Sequence, residues 1–262
     1  MRHHHHTLIT GASSGIGAAF ARHLAANKTN LTLIARREDK LRALAESLEA
    51  HADVRVTVLQ ADLTDEDDIS AVERYIRDQP DLDLLINNAG FGTQGAFYEV
   101  ALDRHLAMLR LHVEASVRLC YAVLPKMIER DYGGIVNVAS VAAFLPSPGN
   151  TTYSATKDYL NVFSESLRRE VAAHHIAVQS LCPGFTYSEF HDTDEFADFD
   201  RGDLPGFLWM TSDAVAQRSL GNLGSGGAVY IPGWQNRLLV RLLKTPLLRE
   251  VLVWGRRRMR SL

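Results

Sequence analysis

The chain has 262 residues, 46% of them hydrophobic, and its 28 Lys and Arg against 31 Asp and Glu leave a formal net charge of −3. That length can bury one large core or two small ones, and the near-neutral balance gives no reason to expect nucleic acid as a partner. No stretch approaches the ~18 uninterrupted apolar residues of a spanning helix, the start lacks an apolar signal region, and Cys120 and Cys182 lie in apolar segments without metal spacing, so the expectation is a reduced, cytoplasmic protein with no metal site.

Met1-Arg2-His3-His4-His5-His6 is either an appended tag or native sequence and is set aside from the functional argument. Thr7-Leu8-Ile9-Thr10 reads as a strand, and Gly11-Ala12-Ser13-Ser14-Gly15-Ile16-Gly17 leads from it into an amphipathic helix to about Asn27. Glycines at such a junction let the backbone turn sharply and approach a ligand, while the helix N-terminus offers free N–H groups to a phosphate. A bare glycine turn would have the same composition. Leu31–Ala35 is a second strand ending in Arg36-Arg37, where a fold that prefers NAD places an acidic residue on the ribose hydroxyls. A guanidinium there pairs instead with the 2′-phosphate of NADP, or merely opens a solvated helix. Val54–Leu59 is a third strand, followed by Gln60-Ala61-Asp62-Leu63; Asp62 can accept from an adenine amino group or cap the acidic helix that follows.

Leu82–Ile86 leads into Asn87-Asn88-Ala89-Gly90, and two helical stretches follow, the second from about Asp103 past Pro125 to Glu129. Ile135–Ala139 then delivers Ser140, and thirteen residues later Tyr153-Ser154-Ala155-Thr156-Lys157 opens a helix to about Val171. Tyr153 and Lys157 share a helical face. An ammonium near a phenol favours the phenolate and draws its pKa, ordinarily about 10, toward the working range. Ser140, arriving from a strand end, can donate to a substrate oxygen, so a carbonyl fits between Ser140 and Tyr153. Ile176–Leu181 is a sixth strand ending at Cys182-Pro183-Gly184-Phe185-Thr186. Gly11, Arg36, Asp62, Asn88, Ser140 and Pro183-Gly184 thus each follow a strand end, which in a doubly wound sheet is one ligand-binding edge.

With these residues assembled, the chain resembles the short-chain dehydrogenase/reductase family over nearly its whole length, through Thr10-Gly11-x-x-x-Gly15-Ile16-Gly17, Asn87-Asn88-Ala89-Gly90, Ser140, Tyr153-x-x-x-Lys157 and Pro183-Gly184. Its extended ending is also similar to bacterial members distantly related to long-chain ketoacyl reductases. The resemblance implies a single α/β, Rossmann-like domain, with a doubly wound seven-stranded parallel sheet ending at Ala228–Ile231 and helices on both faces. It implies hydride transfer between NAD(P) and a carbonyl or alcohol carbon. In that family's terms Tyr153 donates or accepts the proton, Lys157 holds the nicotinamide ribose, and Ser140 orients the substrate oxygen. The cofactor would lie along Gly11, Ser13, Ser14, Gly15, Ile16, Gly17, Arg36, Arg37, Asp62, Leu63, Asn88, Ala89, Gly90, Tyr153, Lys157, Pro183, Gly184 and Thr186, with NADP(H) expected over NAD from Arg36. His112 stands where the family usually has an asparagine that helps hold a water joining the lysine to solvent. It is either a proton relay, with activity falling as pH drops through about 6.5, or a packing residue.

Residues 185–210 correspond to the family's substrate lid: seven acids from Glu189 to Asp203 face Arg201 alone, among aromatic residues such as Phe190, Phe196 and Trp209. That composition favours an uncharged, hydrophobic ketone or alcohol over a keto acid. Residues 234–262 carry eight cations against Glu250, interleaved with leucine and valine. Such a basic amphipathic extension packs on the subunit or lies on an anionic membrane, and packing is the favoured expectation. The expected partners are a small-molecule substrate and further copies of the chain, as a homodimer or homotetramer. Two rivals have different consequences: a nucleotide-binding regulatory or scaffold protein that has lost turnover, and a peripheral membrane protein anchored by its tail.

Overall fold

The computed structural model describes residues 4–192, 196 and 200–243. The chain runs β1 (His6–Thr10), α1 (Gly15–Ala26), β2 (Asn30–Ala35), α2 (Glu38–His51), β3 (Val56–Gln60), α3 (Glu66–Asp78), β4 (Leu82–Asn87), α4 (Leu102–Leu109), α5 (Ala115–Glu129), β5 (Gly133–Val138), α6 (Thr151–Glu170) and β6 (Ile176–Leu181). It continues through β7 (Thr186–Tyr187), β8 (Met210–Thr211), α7 (Ser212–Asn222), β9 (Val229–Tyr230) and α8 (Trp234–Leu243). Seven strands form one parallel sheet in the order β3-β2-β1-β4-β5-β6-β9. Parallel strands need cover on both faces. One face packs Phe20 and Leu24 of α1, Leu41 of α2 and Val215 and Leu220 of α7; the other packs Ile69 and Ile76 of α3, Leu119 and Val123 of α5 and Leu167 of α6. The doubly wound reading holds, and the strand ends that carry the candidate residues share one edge.

Three local features depart from the sequence reading. Residues 91–101 form no helix before α4; Gly95, at φ +123°, takes a backbone conformation open to glycine and closed to a continuing helix. The long helix expected from Asp103 to Glu129 is divided by a π-helical turn, Arg110–Glu114, with buried His112 at its centre. Of the histidines set aside at the start, His6 belongs to the sheet and His4 packs beside it. His6 opens β1, its Nε2 lying 2.8 Å from Thr32 Oγ1 and its Nδ1 3.1 Å from Asp81 Oδ1, while buried His4 lies 3.3 Å from Asp83.

The helix α8 packs through Asn236 and Val240, both buried, and turns Trp234, Leu238 and Leu242 outward. The rest of the basic extension, 244–262, lies outside the described residues, as do Asp194, Glu195, Asp198 and Phe199 of the lid. Among the described residues no helix is long and apolar enough to cross a membrane. Both cysteines are buried, and burial pushes each thiol up to about 12, as suits core residues.

Candidate active site

The turn from β1 to α1 is built for close approach. Gly11 sits at φ +64°, and a Cβ there would lie 2.8 Å from Ala89 Cα; one on Gly17 would collide with the Gly11 carbonyl oxygen. The Asn88-Ala89 backbone is fastened across this turn, its two N–H groups donating to Thr10 Oγ1 at 2.9 and 3.0 Å and Asn88 Nδ2 donating to the carbonyls of Thr10 and Gly11. Ser14 caps α1 without a side-chain hydrogen bond, and no acidic residue occupies the helix's first turn. The positive end of α1 therefore faces the cleft with N–H groups that an anion can accept from. This loop fits a dinucleotide phosphate.

The two arginines after β2 diverge. Arg36 is 75% exposed and its Nη1 lies 3.8 Å from Asp62 Oδ2. Arg37 turns back over the glycine loop, donating from Nη2 to Ser13 Oγ at 2.9 Å and Ser14 Oγ at 3.0 Å. Arg37, rather than Arg36, is thus the guanidinium aimed at the cradle. Asp62 spends one oxygen locally, accepting from Thr64 N–H at 3.0 Å and Thr64 Oγ1 at 2.8 Å, while Asp65 and not Asp62 caps α3. The other Asp62 oxygen faces Arg36, and Leu63 is buried beneath.

At the ends of β5 and α6 the expected trio comes together. The Ser140 hydroxyl stands close enough to the Tyr153 phenol to pull its pKa down, while Ser140 Oγ accepts the Ala142 N–H at 3.1 Å. Lys157 is buried, donates to the Val138 carbonyl at 2.8 Å, and holds its Nζ 5.7 Å from the centre of the Tyr153 ring. Burial pushes the phenol up to about 12 against the pull of the Ser140 hydroxyl, and brings the ammonium down to about 8. The expected lowering of the tyrosine pKa by Lys157 is therefore overridden here, because loss of water disfavours both charged forms. His112 lies beside them. Its Nε2 accepts the Phe91 N–H at 3.2 Å, which leaves the proton on Nδ1 to meet Thr156 Oγ1 at 3.0 Å. Burial, with the Lys157 charge second, holds its pKa well below the usual histidine range. A neutral imidazole with both nitrogens engaged braces the π-helical turn against the Phe91 backbone and α6.

Aromatic side chains from the 185–210 segment reach this trio. The Phe190 ring lies 5.9 Å from that of Tyr153 and 5.5 Å from that of Phe196. Gly92 admits them, since a Cβ there would come within 3.0 Å of both phenyl tips. Thr186 Oγ1 donates to the Gly184 carbonyl at 3.0 Å, and Asn236 of α8 fills the space a side chain at position 184 would need.

A family model described as short chain dehydrogenase matches residues 5–196. The chain belongs to the short-chain dehydrogenase family. An uncharacterized oxidoreductase of Myxococcus xanthus is 33% identical over 90% of either chain. Among solved structures, a short-chain dehydrogenase from Sphingobium yanoikuyae in complex with NADPH is 33% identical with a TM-score of 0.82, covering 98% of this chain and 95% of that one. The bulky-bulky ketone specific alcohol dehydrogenase of Comamonas testosteroni is 30% identical with a TM-score of 0.78, over 99% and 95%.

For a short-chain dehydrogenase, several useful residues gave little sequence signal. Thr156 and Asn236 sit in helical patterns that suggest nothing beyond packing, yet one meets His112 and the other abuts the Pro183-Gly184 turn. Lys40 looks like an ordinary solvated position of α2, but its Nζ donates to Glu189 of the lid at 2.7 Å. Only three-dimensional proximity reveals these pairings.

Proposed function

We propose that this oxidoreductase uses NADP(H) to transfer hydride to or from the carbon of a hydrophobic, uncharged ketone or secondary alcohol. The grouping of Ser140, Tyr153 and buried Lys157, with Lys157 Nζ 5.7 Å from the Tyr153 ring centre, carries the reading. Hydride is supplied by the reduced nicotinamide when it is bound. Tyr153 passes its phenolic proton to the substrate oxygen as that oxygen gains negative charge, and Ser140 donates a second hydrogen bond to it. Lys157, fixed on the Val138 carbonyl, holds positive charge beneath the phenol and favours proton release. Arg37 with Ser13 and Ser14 offers a charge-assisted site for the 2′-phosphate, which supports NADPH over NADH. The NADPH complex of the Sphingobium relative agrees with this choice. The Phe190 ring beside Tyr153, backed by Phe196, favours a bulky apolar substrate, as does the likeness to the bulky-bulky ketone specific dehydrogenase of Comamonas. The assembly we favour is a homodimer or homotetramer.

The test follows NADPH oxidation with ketones graded by bulk and charge, for wild type and Tyr153→Phe. Bulky uncharged ketones should turn over and keto acids hardly at all. Tyr153→Phe should bind NADPH normally and lose turnover, because it removes the proton and little else. Turnover surviving in that variant would move the proton donor elsewhere.

A further inference from the structure

Glu189 brings a carboxylate from the lid onto the nucleotide side of the cleft. Its Oε2 accepts from Arg37 Nη1 at 2.7 Å and its Oε1 from Lys40 Nζ at 2.7 Å. The same Arg37 reaches Ser13 and Ser14, so a lid acid, two cations at the start of α2 and two hydroxyls of the glycine loop form one cluster. Ser188 presses on this loop from the same side, its Cβ 3.0 Å from where a Cβ on Gly15 would lie. The two cations hold the Glu189 carboxyl down at about 2, so it is charged at any working pH.

A carboxylate accepting from a guanidinium and an ammonium makes the contacts that a phosphate monoester would make with those donors. We infer that Glu189 is an internal competitor for the ribose phosphate of the nucleotide: it fills the Arg37–Lys40–Ser13 anion site in the free protein and must be displaced for that phosphate to bind. The inference rests on the NADP(H) reading and adds a residue that sets the strength of the preference. A nucleotide with a free ribose hydroxyl has no anion to exchange for the carboxylate, so it leaves the cluster in place. Glu189 therefore weakens NADPH binding and leaves NADH binding nearly alone, which narrows the discrimination that the cations provide. All three charged side chains are between 41% and 46% exposed, so the exchange takes place in water and its size is modest.

The experiment is calorimetric binding of NADPH, NADH and adenosine 2′,5′-bisphosphate to wild type, Glu189→Gln and Glu189→Asp, at low and high salt. Glu189→Gln should tighten NADPH and the bisphosphate by roughly three- to tenfold, the scale of two half-exposed ion pairs, and change NADH by less than about twofold. Glu189→Asp, still anionic but too short to reach both cations, should fall between. The gain should shrink at high salt as screening weakens the internal contact. Unchanged or weaker NADPH binding in Glu189→Gln overturns the inference, since the carboxylate would then be idle or would be orienting Arg37 for the phosphate. Equal wild-type affinity for NADPH and NADH defeats the NADP(H) reading itself, whatever the variants do. Glu189 is half-exposed, so matching thermal midpoints are expected and check that all three proteins are equally folded.

Discussion

Burial acts on the two ends of the Tyr153–Lys157 pair in opposite directions, and the consequence is measurable. With the phenol at about 12 and the ammonium at about 8, Lys157 is the first of the two to lose its proton as pH rises. Since kcat/KM reports the groups of the free enzyme, its alkaline limb in the reduction direction should have an apparent pKa near 8, and a limb above about 10 would assign it to Tyr153 instead. The same shift affects folding. The unfolded lysine keeps its proton to 10.5 and the folded one to about 8, so burying the charge costs about 3 kcal/mol below pH 8. Stability should recover from pH 8 toward 10.5, because there the unfolded chain alone holds the proton. His112 has the same sign at lower pH. Its folded pKa is depressed, so the unfolded chain binds a proton that the native state refuses, and stability should decline as pH falls below about 6.5. Activity should show no break at that pH, in contrast to the relay expectation. His112→Phe, which strands the Phe91 N–H and leaves Thr156 only its bond to the Tyr153 carbonyl, should lose about 1–3 kcal/mol in denaturant unfolding, while His112→Asn can keep a partner for the Phe91 N–H and loses less. A wild-type activity limb near 6.5 that vanishes in His112→Asn would restore the relay.

At the scale of elements, legibility follows how local the determinant is. The glycine turn, the Asn87–Gly90 turn and the Tyr153–Lys157 spacing are set within a few residues, and β1, β4, β5 and β6, each holding a short apolar stretch, are buried along their whole length. The π-helical turn is different. Nothing in Arg110–Glu114 marks it, because its support comes from Phe91 and Thr156, which are 21 and 44 residues from His112. Glu189 is a still longer case, 152 residues from Arg37. Even where the motif is readable, its reason is tertiary: position 17 must be glycine because the Gly11 carbonyl and Asn88 occupy the space of a side chain. The Gly11 carbonyl is backbone and cannot rotate away, and the Asn88 amide is held in place by its bonds to the Thr10 and Gly11 carbonyls. Gly17→Ala should therefore push α1 off the sheet, cost on the order of 1–3 kcal/mol in thermal or denaturant unfolding, and weaken NADPH binding. Gly221→Ala, at a helix position with open space around it, should leave NADPH binding intact. Equal behaviour of the two variants would mean that the close approach at Gly17 is unimportant.

Among the described residues, an apolar surface stands outside the core. Leu102, Leu106 and Leu109 stand exposed at helical spacing along α4, Tyr121 and Ile128 do so on α5, and Tyr159 and Val162 on α6, with Tyr121 at 76% exposure. The inward faces of α5 and α6 pack on the same side of the sheet, so the outward stripes belong to that side of the molecule. Isolated exposed leucines are ordinary, but contiguous apolar patches beyond a few hundred Å² are uncommon on monomers and mark association surfaces. A second copy is the natural cover, since two-fold pairing sets the same stripe against itself and removes both from water. The interface should bury on the order of 1,000 Å² or more to persist at micromolar concentration. Light scattering behind size exclusion should accordingly give a mass of two or four chains of 29.1 kDa. Tyr121→Glu combined with Val162→Glu should shift it toward one chain without altering the circular dichroism, because both side chains are exposed in the subunit. A wild type that runs as a single chain across that concentration range removes the dimer, and an assembly that survives the double substitution moves the interface to another face.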